Sequence, residues 1–310
     1  MKVVFLGTPD FAVPTLKTIA ASRHELAAVI AQPDRAKNRR GELLPTPVHA
    51  AAVALGVPFY AFDRLRDETG TLRTLSPDIM VTAAYGQILT QEILDIPSFG
   101  VINVHASLLP EYRGSSPIQW AIIDGKRETG VTIMQTERGL DTGDILRVRK
   151  TSIGSDETAG QLSDRLAVIG AEEAVKALDD IAAGRAEPVR QDEAKATCCK
   201  KLTKADGRLD FTRPADELRN RIRGLNPWPA AYTGWNGAVL KIFSATVVDS
   251  GGAPGTVLSA DRSGFVVACG DKALKIETLQ APGGRVMTSA QFLAGHPVAV
   301  GSRLTAPDGE

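Results

Sequence analysis

An amide and an imidazole two residues apart are the first pair of side chains in this sequence that could do chemistry. The stretch 101–113 reads VINVHASLLPEYR, and a predicted buried strand ends in Asn103-Val104-His105. Because side chains alternate along a strand, Asn103 and His105 project to one side and Val104 to the other. The carboxyl end of such a strand is where open α/β sheets bind ligands. An imidazole can act there as acid or base, and an amide can donate to an oxyanion.

A carboxylate in a glycine-flanked loop is the third candidate. Asp141 lies in GLDTGD (139–144), closely after the predicted strand Val131–Gln135. The glycines permit tight turns and close backbone approach, so this loop can hold Asp141 near His105. A carboxylate beside an imidazole orients it and favours its protonated form. Asn103, His105 and Asp141 are therefore the groups that acyl transfer to an amine needs, with the carboxylate helping to collect the amine's proton.

Each of the three residues also has an ordinary structural interpretation. A single histidine is more often structural or exposed than catalytic, Asn103 could be a turn residue, and Asp141 could form an Asx turn. Taken one at a time, the structural interpretation is favoured. Only their joint placement at one sheet edge keeps catalysis open as an alternative.

The elements that must position these residues alternate between short apolar runs and helical patterns. Continuous apolar strands separated by helices predict a doubly wound, mostly parallel α/β sheet, a Rossmann-like domain, over 1–189. The predicted strands are Val3–Leu6, Leu26–Ala31, Val57–Tyr60, Asp78–Ala84, Gly100–Val104 and Val131–Gln135. The predicted helices are Phe11–Ala21, Val48–Leu55 and Thr158–Ala183, the last ending at Gly184.

The last third of the chain has a different pattern. A charged, polar stretch over 190–209 predicts an inter-domain linker. A short helix near Pro214–Ile222 and closely spaced short strands follow, which predict a small β-barrel, OB-like, over 210–310. The predicted strands are Val239–Phe243, Ala245–Val248, Gly255–Leu258, Gly264–Ala268 and Leu274–Leu279.

Composition limits the function classes. Apolar residues make up 43% of the 310 residues and charged residues 23%, which is ordinary for a globular protein. Formal net charge is +0, so any polyanion site must be a local patch. The three cysteines and four histidines show no disulfide framework or metal-ligand spacing, so we expect no metal. With no secretory leader and no apolar run of about 18 residues, we expect a cytoplasmic protein without a membrane span, and a monomer.

The chain resembles the methionyl-tRNA formyltransferases, a branch of the folate-dependent formyltransferase family, along nearly its whole length. The matching segments are VVFLGTPDFAVPTL (3–16), QPDR (32–35), PTPV (45–48), AYGQIL (84–89), INVHASLLPEYRGSSPIQWAI (102–122), ETGVTIMQ (128–135), GLDTGDI (139–145) and NPWPAAY (226–232). The resemblance implies 10-formyltetrahydrofolate as formyl donor and the α-amine of initiator methionyl-tRNA as acceptor.

The resemblance also implies roles for particular residues. Asn103, His105 and Asp141 fall on the positions that carry catalysis in the family. The folate-contacting positions fall on Tyr85, Gly86, Ile88, Ser107, Leu108, Leu109 and Pro110. The loop that reaches the tRNA acceptor stem falls on 32–42, whose basic residues are Arg35, Lys37, Arg39 and Arg40. Cations give sequence-independent phosphate affinity, although a charged run is commonly just a solvated loop. Asn38 and Glu42 depart from the family pattern, and the C-terminal domain is expected to bind tRNA as well.

Two other functions of the same chemistry stay open at this point. A formyltransferase acting on a nucleotide amino sugar could keep a barrel domain but would not need the basic loop. A formyl-folate hydrolase would use water in place of the amine. A non-catalytic RNA-binding protein would have no reason to place Asn103, His105 and Asp141 together.

Overall fold

The structure is a computed structural model that describes residues 1–35, 37 and 41–304. The described chain forms two compact units. The first contains Met1–Pro117, Glu128–Ser152 and Ser163–Cys199. The second contains Ile118–Arg127, Ile153–Leu162 and the described chain from Lys200 onward. The segment 190–209, predicted as a linker, is thus divided between the two units.

The first unit is built on a seven-stranded sheet. Its strands are β1 (Lys2–Gly7), β2 (Glu25–Ala31), β3 (Phe59–Ala61), β4 (Ile79–Ala83), β5 (Val101–His105), β7 (Glu128–Gln135) and β8 (Ile145–Ser152), with a separate two-stranded pair of β6 (Arg113–Gly114) and β9 (Cys198–Cys199). The order is β3-β2-β1-β4-β5-β7-β8, and the first five strands are parallel. The chain winds outward in both directions from β1, which confirms the predicted doubly wound sheet.

Helices flank these strands: the first four lie between consecutive parallel strands, the fifth precedes β7 and the sixth follows β8. They are α1 (Val13–Ala20), α2 (Pro47–Leu55), α3 (Thr69–Leu75), α4 (Gln91–Leu94), α5 (Pro117–Ile123) and α6 (Ala159–Ala182), the last two having residues in both units. In α2, Thr46 caps the start by accepting from the His49 N–H, and Gly56 ends the helix at φ +67°. A threonine at the N-cap and a left-handed glycine after the last turn are common start and stop signals of helices.

Strand β8 was not predicted from the sequence. It pairs antiparallel with β7 at the edge of the sheet, and its residues are mostly half-buried or exposed. An edge strand with charged residues lacks the continuous apolar run that identifies a buried strand. Strands β5 and β7 are also antiparallel, so the sheet is mixed at this side.

The second unit is an antiparallel β domain, as predicted. Its elements are α7 (Ala215–Gly224), β10 (Ala231–Trp235), β11 (Ala238–Val248), β12 (Val257–Asp261), β13 (Gly264–Ala268), β14 (Ala273–Gln280), β15 (Val286–Thr288) and α8 (Ser289–Leu293). The two short strands predicted over 239–248 are one strand, β11, whose register against β14 shifts between Ile242 and Ala245. The core of this unit includes Phe265, Leu274 and Phe292, all fully buried. Within the described part of the chain, no helix combines the length and apolar character that a membrane crossing requires.

Candidate active site

The amide and the imidazole lie at the carboxyl end of β5. Asn103 is paired with Thr82 of β4, and His105 with Thr132 of β7. The Thr82 hydroxyl donates to Asn103 Oδ1 at 2.9 Å. With its carbonyl oxygen engaged in this way, the Asn103 side chain presents its NH2 group, a donor, to a ligand. Asn103 is half-buried, so that donor is reachable at the sheet edge.

Contacts of the His105 ring define its two nitrogens. The ring is 5% exposed, and its Nε2 lies 2.9 Å from the Tyr112 carbonyl oxygen. A carbonyl can only accept, so Nε2 carries a proton and donates it there. The other nitrogen, Nδ1, lies 3.7 Å from Asp141 Oδ2. That distance suits an ion pair but is longer than a hydrogen bond, so Nδ1 is the ring atom that a substrate can engage.

Asp141 is held by its backbone as well as by its side chain. Its φ is +52°, a left-handed conformation that Asp tolerates better than most residues do. Its Oδ2 accepts the Gly114 backbone N–H at 2.8 Å. The structure therefore brings His105 and Asp141 together, with Asn103 two residues along the same strand. Tight turns in 139–144 depend on glycine, because a Cβ at Gly143 would lie 1.9 Å from the Gln135 carbonyl oxygen.

The short segment Tyr112–Gly114 connects the imidazole and the carboxylate. Its first residue, Tyr112, has φ +58° and accepts from His105, while its last, Gly114, has φ +114° and donates to Asp141. The segment is fixed by the parallel pairing of β6 with β9. A Cβ at Gly114 would lie 2.4 Å from the Cys199 carbonyl oxygen, so only glycine fits there. Burial raises the pKa of the Cys199 thiol, which therefore stays protonated at neutral pH and is not a nucleophile here.

The loop after β5 contains four of the folate positions implied by the resemblance. The Thr132 hydroxyl donates to the Ser107 carbonyl at 2.7 Å and accepts the Leu109 N–H at 3.1 Å. Ser107 and Leu109 are buried, so their side chains hold the loop. Leu108 and Pro110 are half-buried and can offer apolar surface to a flat ligand.

The other three folate positions follow β4. Tyr85 is 4% exposed and packs in the core, and burial raises its pKa. Its carbonyl accepts from the Gln32 amide at 2.9 Å and from the Thr8 hydroxyl at 3.4 Å. Gly86 is exposed at φ +82°, and Ile88 is 90% exposed. Gly86 and Ile88 are therefore the exposed positions of this set, and Tyr85 supports them from the core.

The basic loop is described only in part. Arg35 forms an exposed ion pair with Asp63 at 3.0 Å, and the backbone of Lys37 bridges to Leu43. Arg39 and Arg40 lie outside the described residues. At the base of the loop, Asp34 accepts the Thr46 N–H at 2.7 Å and contacts His49 Nδ1 at 2.8 Å.

Sequence reasoning missed the groups that hold the site in place. The Tyr112 carbonyl, the Gly114 N–H, Thr132 and Gln191 all contact a candidate catalytic or folate residue or its loop. The first two are backbone groups and carry no side-chain signal. Gly114 was visible only as a glycine in an irregular loop. No group of three or more His, Cys, Asp or Glu residues in the described ranges could hold a metal ion.

Comparisons with known proteins identify the family. The family model for formyl transferase matches residues 1–178, and the model for the formyl transferase C-terminal domain matches 201–297. The chain belongs to the formyl transferase family.

Relatives within the family cover nearly the whole chain. Methionyl-tRNA formyltransferase of Lachnospira eligens is 46% identical over 98% of this chain and 99% of its own. Methionyl-tRNA formyltransferase of Ectopseudomonas mendocina is 48% identical over 92% and 91%. Among solved structures, an N-formyltransferase from Helicobacter canadensis in complex with folinic acid and dTDP-3-aminofucose superposes with a TM-score of 0.68. It is 19% identical and covers 89% of this chain and 99% of that one, a likeness of fold.

Proposed function

We propose that the chain transfers the formyl group of 10-formyltetrahydrofolate to the α-amino group of initiator methionyl-tRNA, giving N-formylmethionyl-tRNA for translation initiation. One observation carries this assignment: the match to methionyl-tRNA formyltransferases at 42–48% identity, which reaches 98–99% of the chain in most of the matched relatives. The buried His105 and the half-buried Asp141 beside it supply chemistry that fits the transfer. Translation initiation also makes the cytoplasm the proposed location.

In the proposed mechanism, the methionine amine attacks the formyl carbon, and negative charge develops on the formyl oxygen. The Asn103 NH2 group stabilises that oxygen, because its carbonyl end is already bound by Thr82. The carbon–N10 bond of the donor then breaks, and N10 leaves with the bonding electron pair. The proton lost by the amine balances the one that N10 takes up.

His105 acts in this mechanism through Nδ1. Since Nε2 donates to the Tyr112 carbonyl, a second proton on the ring must sit on Nδ1, between the substrate and Asp141. That proton can donate to the formyl oxygen while Asp141 balances the ring's charge. The Asp141 Oδ2 atom is bound by the Gly114 N–H, which leaves Oδ1 to receive the amine proton, directly or through one water.

Separate groups of residues are proposed to contact the folate and the tRNA. For the donor, we propose Gly86, Ile88, Leu108 and Pro110 as contact surface, with Tyr85, Ser107 and Leu109 acting through backbone or as support. For the tRNA, we propose the basic loop with Arg35, Lys37, Arg39 and Arg40, together with the C-terminal domain predicted over 210–310.

Donor consumption with different acceptors tests the assignment. The purified chain is incubated with 10-formyltetrahydrofolate and either charged initiator tRNA, uncharged tRNA, a nucleotide amino sugar or buffer alone. The proposal predicts N-formylation and stoichiometric loss of donor only with methionyl-tRNA. Equal consumption in buffer would instead identify a hydrolase, and formylation of the sugar alone would identify a sugar-modifying enzyme.

A further inference from the structure

Gln191 lies in the stretch between the two family-model matches, which end at 178 and resume at 201. It is nonetheless 4% exposed and belongs to the first unit. A buried amide needs partners for both ends of its side chain, because an unpaired polar group in the interior is destabilising. Its hydrogen-bond partners are Asp141, Gly143 and Arg113, which all belong to the segments that form the candidate active site.

The donor end of Gln191 holds the loop that carries Asp141. Its Nε2 donates to the Asp141 carbonyl at 2.8 Å and to the Gly143 carbonyl at 2.7 Å. The two hydrogens of one amide thus bind two carbonyls two residues apart. Such a clamp fixes the turn in which Asp141 adopts its left-handed conformation.

The acceptor end of Gln191 is fixed in turn by Arg113. The guanidinium donates to Gln191 Oε1 through Nε at 3.0 Å and Nη2 at 2.8 Å. The same guanidinium forms a two-point ion pair with Glu193 at 2.7 and 3.0 Å, and Arg113 itself is 5% exposed. A planar guanidinium bound on two sides has little freedom to move, so it sets the orientation of the Gln191 amide.

Arg113 also connects Gln191 to His105 through its two neighbours in the chain. Tyr112, before it, accepts from the His105 ring, and Gly114, after it, donates to Asp141. Both sides of the His105–Asp141 pair are therefore set by one hydrogen-bonded group. We infer that Gln191, oriented by Arg113, is a positioning residue that places Asp141 for formyl transfer. This inference rests on the proposed function for its kinetic readout.

The test is Gln191→Glu, which keeps the length of the side chain and the oxygen that Arg113 binds. It removes both amide donors, and the neighbouring guanidinium keeps the new carboxylate ionised, so it repels the two carbonyls. Gln191→Met, which has neither donor nor acceptor, is the second variant should the first fail to fold. Thr18→Val is the control, because it too removes a side-chain donor to a backbone carbonyl, that of Pro14 at 2.9 Å, within the first unit and outside the proposed folate and tRNA contacts.

We expect kcat for methionyl-tRNA formylation to fall by about 10–100-fold in Gln191→Glu, with KM for both substrates changed by less than about threefold. In an Asp141→Ala background the same substitution should change kcat by less than about twofold, because the residue it positions is gone. A crystal structure of the variant should show the His105 Nδ1 to Asp141 Oδ2 distance longer than 3.7 Å. Thr18→Val should change none of these quantities.

Three results would overturn the inference: unchanged kcat, an undiminished effect in the Asp141→Ala background, or an unmoved Asp141 in the variant's crystal structure. If the wild-type chain does not formylate methionyl-tRNA, the proposed function fails on its own. The distance from His105 Nδ1 to Asp141 Oδ2 in the crystal structure of the variant then tests whether Gln191 positions Asp141, without any activity measurement.

Discussion

Replacement of Gly114 by alanine should separate active-site geometry from fold stability. An added Cβ would lie 2.4 Å from the Cys199 carbonyl oxygen, and real Cβ contacts essentially never fall below 3.0 Å. The backbone must therefore retreat by about 0.6 Å or more, and the φ of +114° adds strain of about 1–3 kcal/mol. Gly114 also donates the N–H that binds Asp141. A shift of this size at a catalytic carboxylate predicts a fall in kcat of about 10–100-fold.

The assay compares Gly114→Ala with Gly56→Ala. Gly56 ends α2 at φ +67°, and a Cβ there would meet nothing within 4 Å. Alanine at this position should lower the free energy of unfolding by about 1–2 kcal/mol through backbone strain alone and leave kcat unchanged. If Gly114→Ala kept a kcat within twofold of wild type, or if Gly56→Ala lost activity to the same degree, the geometric argument would be wrong.

Three further predictions concern different parts of the chain. Asn103→Ala should lower kcat by at least about 100-fold, as measured by single-turnover formylation, because the oxyanion loses its donor. Combined Arg39→Ala and Arg40→Ala should raise KM for methionyl-tRNA and reduce the slope of log KM against log salt by about two, with KM for the folate unchanged. Lys200 and Thr203 donate to Asp206 and lower its pKa from 3.8 to about 2, so its ionised form stabilises the fold above pH 3.8. Asp206→Asn should therefore lower the free energy of unfolding by about 1–2 kcal/mol at pH 7 in urea titrations, and the difference should vanish as the pH falls towards 2.

Much of the fold could be predicted from the sequence because its core strands are continuous apolar runs. The predicted Gly264–Ala268 coincides with β13, and β1, β2, β4 and β5 differ from the prediction by one or two residues at their ends. The edge strand β8 was not predicted, since none of its residues is buried. The hydrophobic pattern of a sequence reveals strands that have a buried face, and this edge strand has none.

For the candidate site, the sequence predicted the three candidate catalytic residues but not the groups that hold them in place. Alternation along β5 was enough to place Asn103 and His105 on one face, and both the glycine-flanked loop and the resemblance pointed to Asp141. The hydrogen bonds that hold them come from backbone groups of Tyr112 and Gly114 and from Gln191, 50 residues beyond Asp141 in the chain. No local pattern indicates a contact over that separation. The stretch around Gln191 reads as a polar linker, and only its packing shows that half of it belongs to the first unit.

Formyl transfer by a His105→Ala variant is the most direct measurement of the central claim. Single-turnover formylation of methionyl-tRNA from 10-formyltetrahydrofolate is compared for wild type, His105→Ala and His296→Ala, with thermal unfolding recorded for each. The account predicts a rate at least about 100-fold lower for His105→Ala alone, with all three proteins folded. A His105→Ala variant that formylates methionyl-tRNA at a rate near that of wild type would contradict it.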